Sequence, residues 1–423
     1  MGVVHVTIVT AFPEFFENFL TTSMIGRGIT NGLLHVDVVD LRNFGLGNYR
    51  QIDDYSFGGG GGMVLLPEVL ERALASIRES SGTKGYVVYP SPQGDLFSQE
   101  IVETLVAQER IILFCGHYEG LDERFVSRCV DREISMGDFV LTGGEIPAMA
   151  IIDAMARLVP GVVGKETAVV EDSFFRGMLD HPHFTRPAEW KGEGVPEELL
   201  SGDAAAIEKW RRNAAVERTL ARRPDLIARA NIRPYLPKGI YVALVHFPVL
   251  DRRGEKSTAA VTGLDLSDIA RSCKTYGVDR FLVATPLPSQ RDLVKTMIRH
   301  WTEGGGANVN PERAEAFRLL KLFPSVARSV EWISKREKET PLIVGTTARN
   351  HPGTFHWIEA KRRMLREKRP VLFLFGTGSG LHEDALSACS MILSPLSGGG
   401  GEYNHLSVRT AAGAFLDRFF GWR

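Results

Sequence analysis

The 423-residue chain holds only four cysteines, Cys115, Cys129, Cys273 and Cys389, and none stands in a CxxC or beside a pair of histidines. That spacing excludes a zinc knuckle or a disulfide framework, and reduced thiols in strands and helices are expected instead. No run of about 18 uncharged apolar residues occurs, which excludes a helical membrane span. Residues Met1 to Thr10 lack a basic stretch ahead of an apolar run, so no signal peptide is expected and the protein is expected in the cytoplasm. The glycines Gly58 to Gly62 are not followed by Lys-Ser/Thr, so they do not form a phosphate-cradling P-loop. Nor does a GxGxxG open a helix after the first strand pattern, which demotes NAD as well as ATP.

What is present suits a globular chain. Hydrophobic residues make up 44% and charged residues 24%, with a formal net charge of −1, which excludes a disordered or fibrous chain. At roughly 100 to 200 residues per domain, two or three domains are expected. The neutral total hides an asymmetry: residues 1–237 carry 23 Lys+Arg against 33 Asp+Glu, and residues 238–423 carry 27 against 18. Arg233, Pro234, Pro237 and Gly239 interrupt a polar helical stretch at that break, which places a linker near 230–239. The basic second half invites a polyanion partner, and the run Lys361 to Arg369 holds six cations.

Short apolar runs alternate with helical patterns through the first half, which is α/β wiring with a parallel sheet. Val3 to Ala11, Leu34 to Leu41, Tyr86 to Tyr89, Arg110 to Cys115 and Ile134 to Leu141 read as strands; Ile146 to Leu158 reads as a helix with a 3.6 period. Residues 162–180 lack any period, so that loop is expected to be mobile or functional, and 196–230 read as a small helical unit. The second half repeats the wiring, with Ser267 expected to cap a helix that stops at Gly277 and a final helix over Leu406 to Phe420. Both halves place a strand ending in a glycine turn, a short helix, a strand, a glycine cluster and a long helix in one order. That order suggests a duplicated architecture.

Four segments of the first half are dense in glycine and polar residues at strand ends: DDYSFGGGGGM (53–63), YPSPQG (89–94), CGHYEGLDER (115–124) and ISMGDFVLTGGEIP (134–147). Ligands collect where loops leave the carboxyl ends of parallel strands. Glycines there let backbone N–H and C=O groups approach a ligand closely. These segments, followed by EDSF and HPHFTRP, resemble the bacterial TrmD family, the tRNA (guanine-N1)-methyltransferases acting at position 37, 3′ of the anticodon. The resemblance covers residues 1 to about 235. It implies an α/β chain of tandem trefoil-knotted, parallel-sheet domains of the SPOUT class, a rare exception to unthreaded topology. The domains expected are 1–165, a knotted methyltransferase; 166–237, a loop and small helical tRNA-binding domain; and 238–423, a second SPOUT-like domain.

The resemblance further implies S-adenosylmethionine in a pocket lined by Tyr89, Pro92, Gly116, Glu119, Met136, Gly137, Phe139, Leu141, Gly143, Gly144 and Pro147. Chemistry at guanine N1 needs a base for the ring proton and a cation for developing charge. The family carries these at Asp172 and Arg157. Arg50, Asp53, Gly62, Asp180, His183 and Arg186 match positions near the target guanosine or anticodon stem. Homodimers with shared sites and use of magnesium, with Glu119 as acidic partner, also follow from the family; neither a membrane nor DNA is an expected partner. The chain departs from the family at Ser56 and Gly61, where proline is usual, and at His117, where arginine is usual. In the second half FLFGTGSG (373–380), ILSP (392–395) and YNHLSVRT (403–410) resemble an RNA methyltransferase domain of the same superfamily, with a pocket around Gly376, Gly378, Leu393 and Asn404. A non-catalytic RNA-binding adaptor retaining the fold is the alternative, and intact Asp172 and Arg157 argue against it. A dehydrogenase on a doubly wound sheet is a third reading, tested by whether the protein prefers NADH or S-adenosylmethionine.

Overall fold

A computed structural model describes residues 3–59, 61–164, 172–175, 177–398 and 404–421. The chain divides into two compact units, Met1–Phe175 and Arg176–Arg423. Among the described residues no helix is long and apolar enough to cross a membrane. Much of the expected loop at 162–180 falls on residues 165–171 and 176, outside the described residues.

The first unit is built on five parallel strands: β1 (Val4–Thr10), β2 (Leu34–Asp40), β3 (Tyr86–Leu96), β4 (Arg110–Phe114) and β5 (Arg132–Ser135). Their order across the sheet is β2-β1-β4-β3-β5. Strands covered on both faces need near-continuous apolar runs, and alternate residues of one run serve opposite faces. In β4, Ile111 and Leu113 join the cluster that includes Ile151 and Met155 of the helix Glu145–Leu158. Ile112 and Phe114 join the opposite cluster, with Leu70 and Leu74 of the helix Pro67–Ser81.

β3 pairs with β5 in two stretches, and the register jumps from Pro90 to Asp95. The intervening PSPQG is thereby pushed out of the ladder. β5 ends at Ser135, not at Leu141 as its apolar pattern suggests. Gly137 turns the chain at φ +141, and the Ser135 hydroxyl bonds its backbone N–H and C=O at 3.2 Å each.

Six parallel strands form the sheet of the second unit: β6 (Ile240–Val245), β7 (Arg280–Ala284), β8 (Leu320–Phe323), β9 (Leu342–Thr346), β10 (Val371–Gly376) and β11 (Met391–Leu393). They lie in the order β8-β7-β6-β10-β9-β11. With the outer strand β8 set aside, the order is that of the first sheet, β6 standing for β1 and β10 for β4. The duplicated wiring read from the sequence is therefore also a duplicated strand order.

The helix Ala204–Arg222 and the turns after it belong to this second unit. Ile227, Ala230, Ile232 and Leu236 share one apolar core with β6 and the final helix Val408–Phe420. Lys361 is 1% exposed and donates to the carbonyls of Ile227 at 3.3 Å and Ala230 at 2.6 Å. That burial overturns the reading of 361–369 as an RNA-facing run. Arg362, Arg363 and Arg369 likewise donate to the carbonyls of Pro224, Ser390 and Thr340. Ser267 caps nothing: the helix Gly263–Thr275 starts earlier, at Thr262, whose hydroxyl accepts from the Asp265 N–H at 3.1 Å and bonds its carboxylate at 2.7 Å. The cap satisfies one of the N–H donors that a helix start leaves open.

Candidate active site and a second glycine-lined cavity

A cavity of about 310 Å³ opens at the carboxyl ends of β3, β4 and β5, where a parallel sheet offers its ligand crevice. Tyr89, Pro92, Gly116, Glu119, Met136, Phe139, Leu141, Gly143, Gly144 and Pro147 line it. Gly137 does not; it serves as the turn between Met136 and Phe139. A Cβ on Gly144 would lie 2.7 Å from the Cα of Cys115, and the Gly144 N–H donates to the Gly116 carbonyl at 2.9 Å. Two glycine loops thus cross backbone to backbone. The buried Tyr89 ring closes one wall, and a Cβ on Gly120 would stand 2.6 Å from its hydroxyl. Burial raises the Tyr89 phenol above its ordinary range and lifts the Cys115 thiol well up, so both stay neutral.

A clasp under these loops carries three residues that sequence reasoning did not assign. Glu145, 2% exposed at the first turn of its helix, accepts from the Thr10 hydroxyl at 2.7 Å and shares a 2.7 Å bond with His117 Nε2. His117 lines the cavity, and its backbone pairs with Gly143. A buried carboxylate is costly without such partners. The available signal was the GGE junction, an acid at a helix start; the partners stand 28 and 135 positions away.

Arg157 and Asp172 form an ion pair. Arg157 donates to Asp172 Oδ2 from Nε at 2.8 Å and from a terminal nitrogen at 2.5 Å, with side chains 52% and 36% exposed. Neither lines the cavity. Arg157 closes the helix that Glu145 opens, and ten residues separate it from Pro147, about 15 Å of helix at 1.5 Å per residue.

Glu119 faces the cavity, and the would-be Cβ of Gly62, at φ +144, would lie 2.3 Å from its carboxylate oxygen. Among the described residues one three-ligand group exists, Asp180 with His181 and His183, and Glu119 does not belong to it. No three-ligand set gathers around Glu119 among the described residues, and a lone carboxylate does not by itself mark a magnesium site. Arg50 and Asp53 lie in the first unit, on the turn and hairpin before Gly62. Asp180, His183 and Arg186 lie in the second. There Asp180 holds His181 at 2.6 Å and His183 at 2.7 Å, and His183 and Arg186 line a cavity of about 450 Å³. Burial works against the Asp180 carboxylate, but the His183 and His181 bonds outweigh it and hold its pKa low.

The second unit has its own cavity, about 620 Å³, lined by the ends of β9 and β10, the segment 404–408 and residues 259–265. Gly376, Gly378 and Asn404 line it; Leu393 is wholly buried in β11, and Leu396 reaches the cavity in its place. A Cβ on Gly376 would meet the Leu381 nitrogen at 2.5 Å, so the turn after β10 closes tightly on itself. Ser407 is the cap of the final helix, accepting from the Thr410 N–H, whereas Asn404 reaches across to the Ala348 carbonyl at 3.5 Å.

Residues 4–229 match the family described as tRNA (Guanine-1)-methyltransferase TrmD, and residues 239–421 match one described as SAM-dependent RNA methyltransferase. A tRNA (guanine-N(1)-)-methyltransferase of Nitratidesulfovibrio vulgaris is 40% identical over 98% of this chain and 99% of its own length. The chain belongs to the TrmD family. The corresponding protein of Oleidesulfovibrio alaskensis is also 40% identical, over 98% of both chains. A TrmD relative from Moorella thermoacetica is 49% identical over 54% of this chain but 92% of its own length. The first half of this chain therefore matches nearly the whole of some relatives, and the second half adds to it.

Proposed function

We propose that the first unit transfers a methyl group from S-adenosylmethionine to N1 of guanosine 37 in tRNA, and that the second cavity binds the same donor for action on RNA. The observation that carries this reading is the crossing of two glycine loops beside the buried Tyr89 ring. Glycine at 116, 143 and 144 lets these loops cross closely, which leaves a cleft against the Tyr89 ring that suits a flat ring system. Bound there, S-adenosylmethionine supplies an electrophilic methyl group.

The chain's own contribution is proton and charge handling. Both Arg157 bonds fall on Asp172 Oδ2, so Oδ1 receives neither and is the atom proposed to take the guanine N1 proton. The Arg157 guanidinium steadies the negative charge that develops towards O6. Because the pair sits a helix length from the cavity of its own chain, a second copy of the chain is proposed to complete each site as a homodimer. Exposed Phe139, Val140 and Ile146 flank the cavity and suit such an interface. The insertion of β4 between β1 and β3, with the glycine loops crossing behind it, supports a knotted chain in each unit. We retain 1–165, 166–237 and 238–423 as functional segments, the middle one a tRNA-binding helical element, in a cytoplasmic enzyme.

The test is mass spectrometry of nucleosides after unmodified tRNA is incubated with the full chain and the donor. Appearance of 1-methylguanosine only at position 37 is expected. Methylation confined to another base or another position would refute the assignment.

A further inference from the structure

Residues 46–59 carry three aromatic rings that the chain leaves in water. Tyr49 is 97% exposed, Tyr55 79% and Phe57 100%. Burial of a ring is strongly favourable, so three bare rings on an ordered segment point to a partner outside the chain. The order is visible in the backbone. Leu46 and Gln51 exchange bonds of 2.8 and 3.0 Å around the turn that holds Tyr49, and Asp53–Tyr55 pairs antiparallel with Met63–Leu65. The hairpin is in turn bonded to the cavity rim: the Glu119 N–H donates to the Met63 carbonyl and the Leu65 N–H to the Gly120 carbonyl, each at 3.0 Å. Tyr55 stands opposite Met63 in that ladder, so its ring is carried by the strand pair that touches the donor cavity.

The chemistry around the rings selects the partner. Within this segment Tyr49, Tyr55 and Phe57 are the exposed large apolar side chains, with no exposed aliphatic residue beside them among the described residues. An interface between protein copies is built on a contiguous apolar core. Isolated flat rings among glycines, with an exposed Arg50 for phosphate, suit unstacked bases instead. We infer that Tyr49, Tyr55 and Phe57 form a stacking platform for unpaired RNA bases flanking the methylated guanosine. This rests on the proposed action of the first unit on tRNA, and it adds contacts that reach beyond the reacting base.

The test uses the full chain and a tRNA carrying 2-aminopurine beside the target guanosine. Wild type should quench the probe by stacking. The double variant Tyr55→Ala/Phe57→Ala should lose that quenching and bind tRNA about 100-fold more weakly, since each of the two base-aromatic stacks is worth on the order of a tenfold factor. Affinity for S-adenosylmethionine, read by calorimetry, should not change, and the swap Tyr55→Phe/Phe57→Tyr should keep both quenching and affinity. Unaltered quenching and tRNA affinity in the double variant would overturn the platform while wild-type methylation still stood. Sedimentation showing a dimer turned into monomers would also overturn it, by making the rings an interface between copies. A wild type that methylates no tRNA would remove the reading beneath and the platform with it.

Discussion

The two sheets share one strand order but bury different things beneath their cavities. Under the first cavity lies a hydrogen-bonded clasp, with Glu145 held by Thr10 and His117; behind β6 of the second lies His246, fully buried, its Nδ1 3.3 Å from the Thr377 hydroxyl and its Nε2 without a hydrogen bond. Burial lowers the His246 pKa to about 4, so this imidazole is neutral at physiological pH. The strand order is what makes a cavity at this place in both units, and the residues under the loops are what differ. The first unit adds the Asp172–Arg157 pair at the far end of the helix that follows its cavity.

The largest contrast should come from filling one cavity at a time. Thr142→Trp and Ala260→Trp place an indole at exposed positions that line the first and second cavities. Each should abolish donor binding at its own cavity and leave the other intact, as read by calorimetry. Gly378 is a poorer choice for this purpose, because its would-be Cβ meets the Leu250 carbonyl at 2.8 Å and a side chain there would break the loop rather than fill the cavity. Asp172→Asn should lower formation of 1-methylguanosine by about 100-fold or more, the usual worth of a general base, with donor affinity unchanged. Arg157→Ala should lower it as well. Wild-type turnover in Asp172→Asn would remove the base from the scheme.

Acid should separate the units next. All six tryptophans stand at position 190 or later, so tryptophan fluorescence reports on the second unit. His246 has a folded pKa below its unfolded value, so its stabilisation is complete above about pH 6.5 and is lost as the pH falls towards 4. The loss amounts to about 3 kcal/mol at 1.36 kcal/mol per pKa unit. His246→Gln should flatten that part of the urea-midpoint profile, and an unchanged slope would place the titration elsewhere. The smallest effect expected is from Glu145→Gln, which keeps the shape but replaces the oxygen that bonds His117 or Thr10 by an amide nitrogen. Donor affinity at the first cavity should fall about tenfold, in line with the worth of a buried hydrogen bond, and the second cavity should not respond.

What could be read from the sequence was the part written in contiguous residues. Strand runs, glycine turns and the cavity-lining set lie within short motifs, and ten of the eleven residues carried over for the first cavity line it. What could not be read depends on contacts between distant positions. Lys361 looked like a surface cation because six cations stand close together in sequence, yet helix phase turns it onto the carbonyls of residues more than 130 positions earlier. Thr10, His117 and Glu145 come together only once β1, β4 and the following helix share a sheet end. The separation of Arg157 from the cavity was hidden for the opposite reason: it lies in the same helix as Pro147, and only the helix rise reveals the distance.

One strand order, used twice, makes the two cavities proposed to bind the donor in this chain. Equilibrium dialysis of the full chain against labelled S-adenosylmethionine tests it most directly. Two molecules bound per chain are expected for wild type, with one each for Thr142→Trp and Ala260→Trp. A single molecule per chain in wild type, lost in Thr142→Trp and untouched in Ala260→Trp, would contradict it.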